Sequence, residues 1–474
     1  MKVYEQIIIY IKDQIATGAL RHGDRAPSVR QLCDTLGTSK NSVIRAYQAL
    51  ESEGLINAYP RKGFIVSSTP HVDKPPSPRR VVLGATALDI IGPAQKAANV
   101  AFGSANPETA FKGRTAFYKQ LSRLTRKELT SPATYTHYQS PPGNQLLRQQ
   151  IARKTHSGFA ELDPEEIIIT NGAQEAISLA LRSLTSTGDI VLVESPCFYG
   201  ILQCIEALGL RVIELPSSAN IGIQVEQLEQ ILQQWSVKVV LLNPQANNPL
   251  GFIMPEENQR KLLQLSYLHQ FHIIEDDVFG SLIPTSQRKQ TLKAMDTQGR
   301  VLLCSGLSKI LDPDIRIGWI AAGVQFDQIN YLKYVTTLAT SGLLQQAAAL
   351  WMASPDYERH IRQIQNRYRQ RKVVFVEVLR RVFPPEAEII APDAGFLCWI
   401  SLPSGCSGDR IFDQAKYSQI SITPGSLFGT EGQFRHCIRL NFSSFTQTDL
   451  QMNALLHLSK LLREEILRAQ KNPD

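Results

Sequence analysis

Residues 304–319 read CSGLSKILDPDIRIGW, and the reading of this stretch decides the larger part of the chain. An apolar run, RVLLCS (300–305), leads into it as a buried strand would. Lys309 follows soon after, and Arg316 stands seven residues beyond the lysine. A lysine amine condenses with an aldehyde to a Schiff base, and a guanidinium clamps a phosphate through two parallel donors. Taken alone, a lysine and an arginine at this spacing are more often solvated.

Four motifs upstream bear on the same chemistry. TNGAQEAI (170–177) is a strand end, a tight glycine turn and a helix start. Backbone N–H groups at such a start bind phosphate, so Gly172, Ala173 and Gln174 are candidate ligands. ESPCFYG (194–200) sets Phe198 two residues after a proline at a strand end, where its ring can stack on a planar heteroaromatic. In isolation the same phenylalanine reads better as core. NPQANNPLG (243–251) holds Asn248 in a turn from which a side-chain amide can be aimed at a ring oxygen. IIEDDVFG (273–280) places three consecutive acids at the end of an apolar strand. A carboxylate there can pair with a pyridinium nitrogen and keep it protonated, which makes the ring an electron sink.

The apolar runs EEIIIT (165–170), DIVLVE (189–194), RVIEL (211–215), VKVVLLN (237–243), HIIEDD (272–277) and RVLLCS are spaced by helical or loop segments. Short buried strands alternating with helices predict an α/β domain with a largely parallel sheet over residues 81–474. Ahead of it, SSTPHVDKPPSPRR (67–80) has four prolines within nine residues and reads as a linker.

Residues 1–66 read differently. Tyr4, Ile7, Ile8, Ile11 and Ile15 recur at helical spacing up to Gly18. A second helix is expected from Ser28 to Gly37, and a third from Ser39 to Gly54 with Val43, Ala46 and Leu50 inward. A turn at Arg61-Lys62-Gly63 between two short strands then makes a wing, which completes a winged helix-turn-helix. The third helix opens with Ser39, Lys40, Asn41, Ser42 and Arg45, groups able to reach base edges and phosphates of double-stranded DNA. Residues 1–80 carry 12 Lys and Arg against 7 Asp and Glu, which fits a polyanion partner.

The run RHGDRAPSVRQLCDTLGTSKNSVIRAYQALESEGLINAYPRKGFIV resembles the winged-helix domain of GntR-type bacterial transcription regulators. The resemblance makes Arg30, Lys40 and Arg45 DNA contacts and Gly63 the wing glycine, and it places Ala26 where that family usually has leucine. The five motifs of the larger part resemble fold type I aminotransferases, from about Tyr138 to Phe442. That resemblance implies pyridoxal 5′-phosphate as cofactor. It makes Lys309 the Schiff-base lysine, Asp276 the partner of the pyridine nitrogen, Asn248 the partner of the ring hydroxyl and Phe198 the stacking aromatic. Arg316, Ala173, Gln174 and Ser308 would hold the phosphate, with Tyr138 reaching that of a neighbouring subunit in a homodimer. Arg439, in IRLNFS, matches the arginine that binds a substrate α-carboxylate. Two positions depart from the pattern. Phe279 stands where a tyrosine usually donates to the ring oxygen, and Gly306 where a phosphate-binding Ser or Thr is usual, with Ser305 adjacent. Both weigh against fast turnover more than against cofactor binding.

The two resemblances in this order are those of the MocR subfamily of regulators. The expected function is transcription regulation, with the large domain sensing the cofactor or a small amino compound that reacts with it. The alternative is a working aminotransferase with an appended DNA-binding domain. A third reading, a cofactor-free dimerisation platform, fits less well because the lysine and its partners remain.

Across 474 residues, 43% are apolar and 20% charged, which excludes wholesale disorder. No apolar run approaches the roughly 18 residues of a membrane span. The N-terminus carries Glu5, Lys12 and Asp13 within its apolar pattern and lacks a cleavage site, so no signal peptide is expected. Seven scattered cysteines without a CxxC pair give no metal or disulfide framework. A bacterial cytoplasmic location is the expectation.

If Arg45 makes a base contact, Arg45→Ala should weaken operator binding by about 1–3 kcal/mol. Fluorescence anisotropy on labelled duplex checks this.

Overall fold

Apolar spacing of three and four residues builds the first unit. The computed structural model describes residues 3–16, 20, 24–52, 55–59, 63–66, 76–83, 100–131, 137–156, 162–219, 221–284 and 286–471. Its contacts divide the chain into two units, Met1–Pro75 and Pro76–Asp474.

In the first unit, helices Val3–Ala16, Val29–Leu36 and Lys40–Ser52 turn Ile7, Ile11, Val43, Ala46 and Leu50 into one core. Ser28 starts the second helix with a capping box: its Oγ accepts from the Gln31 backbone N–H at 3.2 Å, and its own N–H donates to Gln31 Oε1 at 2.8 Å. Gly37, at φ 62°, ends that helix in the left-handed conformation. Ile56–Tyr59 pairs antiparallel with Gly63–Val66, as the wing requires. A third segment joins it. The Ala26 N–H donates to the Phe64 carbonyl and the Val66 N–H to the Asp24 carbonyl, both at 2.9 Å. Ala26 is buried, and beside it the Tyr47 and Phe64 rings pack 4.6 Å apart. Gly18, Gly54 and the Arg61-Lys62 part of the turn lie outside the described residues.

In the second unit all six expected strands form. Ile190–Ser195, Arg211–Ser218, Val237–Leu242, His272–Asp276 and Val301–Gly306 run parallel, with Ile190–Ser195 between Arg211–Ser218 and Val237–Leu242. Side chains alternate between faces, so Val240, Leu242 and Ile273 enter one core while Val239, Leu241 and Ile274 enter another. Burial on both faces is why these strands read as unbroken apolar runs.

One strand joins the expected six, and one expectation is corrected. Gly318–Ala321, inside the stretch quoted at the outset, is itself a strand, antiparallel to Val301–Gly306 and to Ile167–Thr170. The expected linker 67–80 is shorter at its far end: Arg79–Arg80 pairs antiparallel with Arg211 and Val212, and Arg211 Nη2 donates to the Pro78 carbonyl at 3.0 Å. Residues 67–75 lie outside the described residues.

A smaller antiparallel sheet orders Glu388–Ile390, Leu397–Ser401, Cys437–Asn441 and Thr423–Pro424. The 28-residue helix Pro355–Val382 packs on helix Lys112–Thr130, where Gly113 lets His360 approach its backbone. A Cβ on Gly113 would fall on the His360 ring. Gly113→Ala should therefore destabilise by about 1–3 kcal/mol through overpacking, although in an exposed helix the same change stabilises by about 1 kcal/mol. Urea unfolding midpoints of the two proteins decide the sign.

Candidate functional site

The C-terminal ends of the parallel strands bring Ser195, Asn243, Asp276 and Gly306 to one edge of the sheet, where open α/β folds bind ligands. Beside them, Gly172 at φ 83° turns the chain into helix Ala173–Leu184, whose N-terminus has no side-chain cap. Its first N–H groups are left for an anion. Arg316 lies against this turn. Its Nη2 donates to the Asn171 carbonyl at 2.9 Å and its Nη1 to Ser308 Oγ at 3.2 Å. Gly318 keeps the approach open, since a Cβ there would stand 2.6 Å from the Ala173 nitrogen. Gln174 offers only its backbone, because its side-chain amide donates to the Gly200 carbonyl at 2.6 Å.

Lys309 is half-buried beyond this cradle. Its Nζ donates to the Ala105 carbonyl at 2.8 Å and lies 5.8 Å from the centre of the Phe279 ring. Burial, and then the nearby Arg439 charge, push its pKa down to about 8, with Asp276 acting in the opposite direction. Asp276 is buried at its strand end, and desolvation pushes its pKa up to about 7. Of the three consecutive acids it alone belongs to this group. Glu275 Oε1 and Oε2 accept the Leu292 and Lys293 N–H groups at 3.0 and 2.9 Å, and Asp277 pairs with Arg288 at 2.7 Å.

Phe198 precedes helix Tyr199–Ala207, its ring 4.6 Å from that of Tyr199. Asn248 Oδ1 accepts from Arg439 Nη1 at 3.0 Å. Arg439 is fully buried; Nη2 donates to the Gly103 carbonyl at 2.7 Å and to Thr423 Oγ1 at 3.1 Å, while Nε has no partner among the described residues. Tyr138 is 83% exposed. Ser305 does not stand in at Gly306: its hydroxyl donates to the Asp277 carbonyl at 2.9 Å, because strand alternation turns it away from the cradle. Among the described residues no three His, Cys, Asp or Glu side chains are grouped to hold a metal ion.

In the first unit Arg30, Ser39, Lys40, Asn41 and Arg45 are exposed. Ser39 Oγ accepts from the Ser42 N–H at 3.3 Å, which spends part of its capacity on helix initiation. The Arg45 guanidinium lies 4.3 Å from the centre of the Tyr4 ring, which orients it. Gly63 has φ 82°, and Arg25 packs over it.

Residues 112–454 match the aminotransferase class I and II family, and residues 3–66 match the bacterial regulatory proteins of the gntR family. The HTH-type transcriptional regulator YjiR of Escherichia coli (strain K12) is 35% identical, over 93% of this chain and 95% of its own. The chain belongs to the GntR-type regulators fused to an aminotransferase domain, the MocR subfamily. A probable rhizopine catabolism regulatory protein, MocR of Rhizobium meliloti, is 28% identical over 83% of this chain and 80% of its own. The crystal structure of Pyrococcus horikoshii kynurenine aminotransferase, in complex with PMP, matches with a TM-score of 0.73 at 26% identity, over 81% of this chain and 96% of that one. No helix among the described residues of this regulator is long and apolar enough to cross a membrane.

Sequence reasoning missed several residues of the regulator's site. Glu194 Oε1 accepts the Asn243 N–H at 2.9 Å and Asn247 Nδ2 at 2.7 Å, so one buried oxygen holds both ends of the asparagine-rich turn. Lys333 Nζ donates to Glu175 Oε2 at 2.8 Å, and that carboxylate oxygen also accepts the Asn171 N–H beneath the cradle. Tyr199 meets edge-on the Phe428 ring over which the Arg439 guanidinium lies. The run of asparagines after Glu194 was the available signal for the first group; the others had none.

An acid whose folded pKa is raised contributes stability at low pH that is lost as pH rises through the folded value. Asp276→Asn should therefore stabilise the cofactor-free regulator, by a margin that grows as pH climbs from the ordinary aspartate range to about 7 and is level above it. Urea unfolding across pH 4.5 to 8.5, roughly the range this linkage spans, measures the margin.

Proposed function

We propose that the aminotransferase domain binds pyridoxal 5′-phosphate and that the protein is a DNA-binding regulator responding to the cofactor or to an amino compound captured with it. The observation that carries this reading is the meeting of an anion cradle with a half-buried lysine and a buried aspartate. Arg316, Ser308 and the backbone N–H groups of Ala173 and Gln174 hold the phosphate, with Tyr138 serving a second copy in a homodimer. Gly172 and Gly318, where a Cβ would crowd the cradle, support the fit. Phe198 stacks on the ring, Asp276 partners its nitrogen and Asn248 its oxygen.

When bound, the cofactor supplies an aldehyde that captures amines and a ring that withdraws electrons. This chain's residues set the conditions. A pKa near 8 leaves Lys309 a useful fraction of neutral amine near pH 7. Arg439 offers a charge for a carboxylate, and Phe279 closes the site with an apolar wall that excludes water. A slow aminotransferase is the second reading, favoured by the joint presence of Lys309, Asp276, Arg316 and Arg439. Phe279 favours sensing, since no phenol there steadies the ring oxygen and Asn248 serves both that oxygen and Arg439.

In the first unit, Arg30, Lys40, Asn41, Arg45 and Gly63, with Ser39, face a double-stranded operator. A ligand alters DNA affinity only by favouring one arrangement of the protein over another.

Purified protein is expected to absorb near the visible edge after incubation with pyridoxal 5′-phosphate, and Lys309→Ala to lose that band while keeping its far-ultraviolet dichroism. A band unchanged in Lys309→Ala overturns the role of the lysine. Absence of any band in wild type overturns the cofactor.

A further inference from the structure

The turn that forms the cradle already carries a negative charge. Glu175 lies in the first turn of helix Ala173–Leu184, and its Oε2 accepts the Asn171 N–H at 2.5 Å. A carboxylate there complements the positive end of the helix. A phosphate on the same turn meets a like charge, and the repulsion grows as water is excluded.

Lys333 answers that charge. Its side chain is wholly buried, and its ammonium directs three N–H groups at side-chain oxygens: Glu175 Oε2 at 2.8 Å, Thr337 Oγ1 at 2.7 Å and Thr340 Oγ1 at 3.0 Å. The Thr337 hydroxyl in turn donates to Glu175 Oε1 at 2.8 Å, so both carboxylate oxygens are held from helix Phe326–Thr337. The lysine is anchored on its far side as well. The Thr340 carbonyl accepts from Gln345 Nε2 at 2.8 Å, and Gln345 Oε1 accepts the Asn144 N–H at 2.7 Å. With its donors committed and its side chain closed to solvent, Lys333 acts on the cradle through Glu175 and Asn171, whose carbonyl receives Arg316.

We propose that Lys333 is a positioning residue for the cofactor phosphate: it cancels the Glu175 charge beneath the cradle and, through Asn171, holds the Arg316 guanidinium in place. The proposal rests on the cofactor-binding reading above and adds to it a residue that does not touch the cofactor. Removing the ammonium alone leaves an uncompensated carboxylate against the bound phosphate; removing both charges does not.

Full-length protein freed of cofactor is titrated with pyridoxal 5′-phosphate and with pyridoxal, which has the same ring and aldehyde but no phosphate, and the visible band formed with Lys309 is followed. Lys333→Met keeps the unbranched apolar stem. It should bind pyridoxal 5′-phosphate on the order of tenfold more weakly, the penalty of a like charge left unpaired beside the anion, and bind pyridoxal as wild type does. Lys333→Met combined with Glu175→Gln should recover most of that loss, because glutamine still offers an oxygen to the Asn171 N–H and carries no charge. The proposal is overturned if Lys333→Met binds pyridoxal 5′-phosphate like wild type, if both ligands weaken together, or if the double variant recovers nothing. Should Lys333→Met fail to fold, Glu175→Gln alone decides: with the lysine in place it should bind pyridoxal 5′-phosphate more tightly than wild type, and weaker binding overturns the proposal. Failure of the underlying reading shows itself separately, as wild type that gives no band with either ligand.

Discussion

A wholly buried guanidinium must find its acceptors inside the protein, and Arg439 finds them on three segments far apart in the chain. Leaving such a charge unpaired costs several kcal/mol, of order 3–5 when a buried pair is broken. The Gly103 carbonyl, Asn248 and Thr423 are therefore fixed relative to strand Cys437–Asn441. This requirement joins the small antiparallel sheet to the edge of the parallel one. Asn248 inherits its orientation from it.

The acid–base character of the site follows from burial more than from charge pairing. Lys309 is drawn down and Asp276 pushed up, each mainly by desolvation, so the two approach one another near neutral pH. Groups poised in this way are characteristic of sites that exchange protons or capture electrophiles. The neighbouring acids Glu275 and Asp277 are equally buried but spent on the Leu292–Met295 helix start and on Arg288. Composition marks all three; only the direction of each side chain separates them. Phe279 beside Lys309 keeps the surroundings apolar, which preserves the depressed lysine.

The cradle is supported from below. Glu175 lies in the first turn of helix Ala173–Leu184, where its negative charge opposes a bound phosphate, and Lys333 neutralises it from a fully buried position. The pair also fixes Asn171, whose carbonyl receives Arg316. The order of this turn therefore depends on a lysine in a helix with no motif of its own.

Local order determined what the sequence could disclose. Strand runs, glycine turns, the Ser28 capping box and the spacing of Lys309 to Arg316 are each set by neighbours within about ten residues, so all are legible in one dimension. The same is true of the winged helix and of the candidate residues Asp276, at a strand end, and Asn248 and Phe198, in the segments that follow strands. Only the tertiary structure decided what crosses the chain. It made Gly318–Ala321 an antiparallel strand and drew Arg79–Arg80 onto the sheet edge, since pairing depends on which backbone lies alongside. It turned Ser305 away from the cradle and brought Tyr199, Phe428 and Arg439 together. The contact of Gly103 with Arg439 joins residues 336 positions apart, and local periodicity carries no record of such contacts.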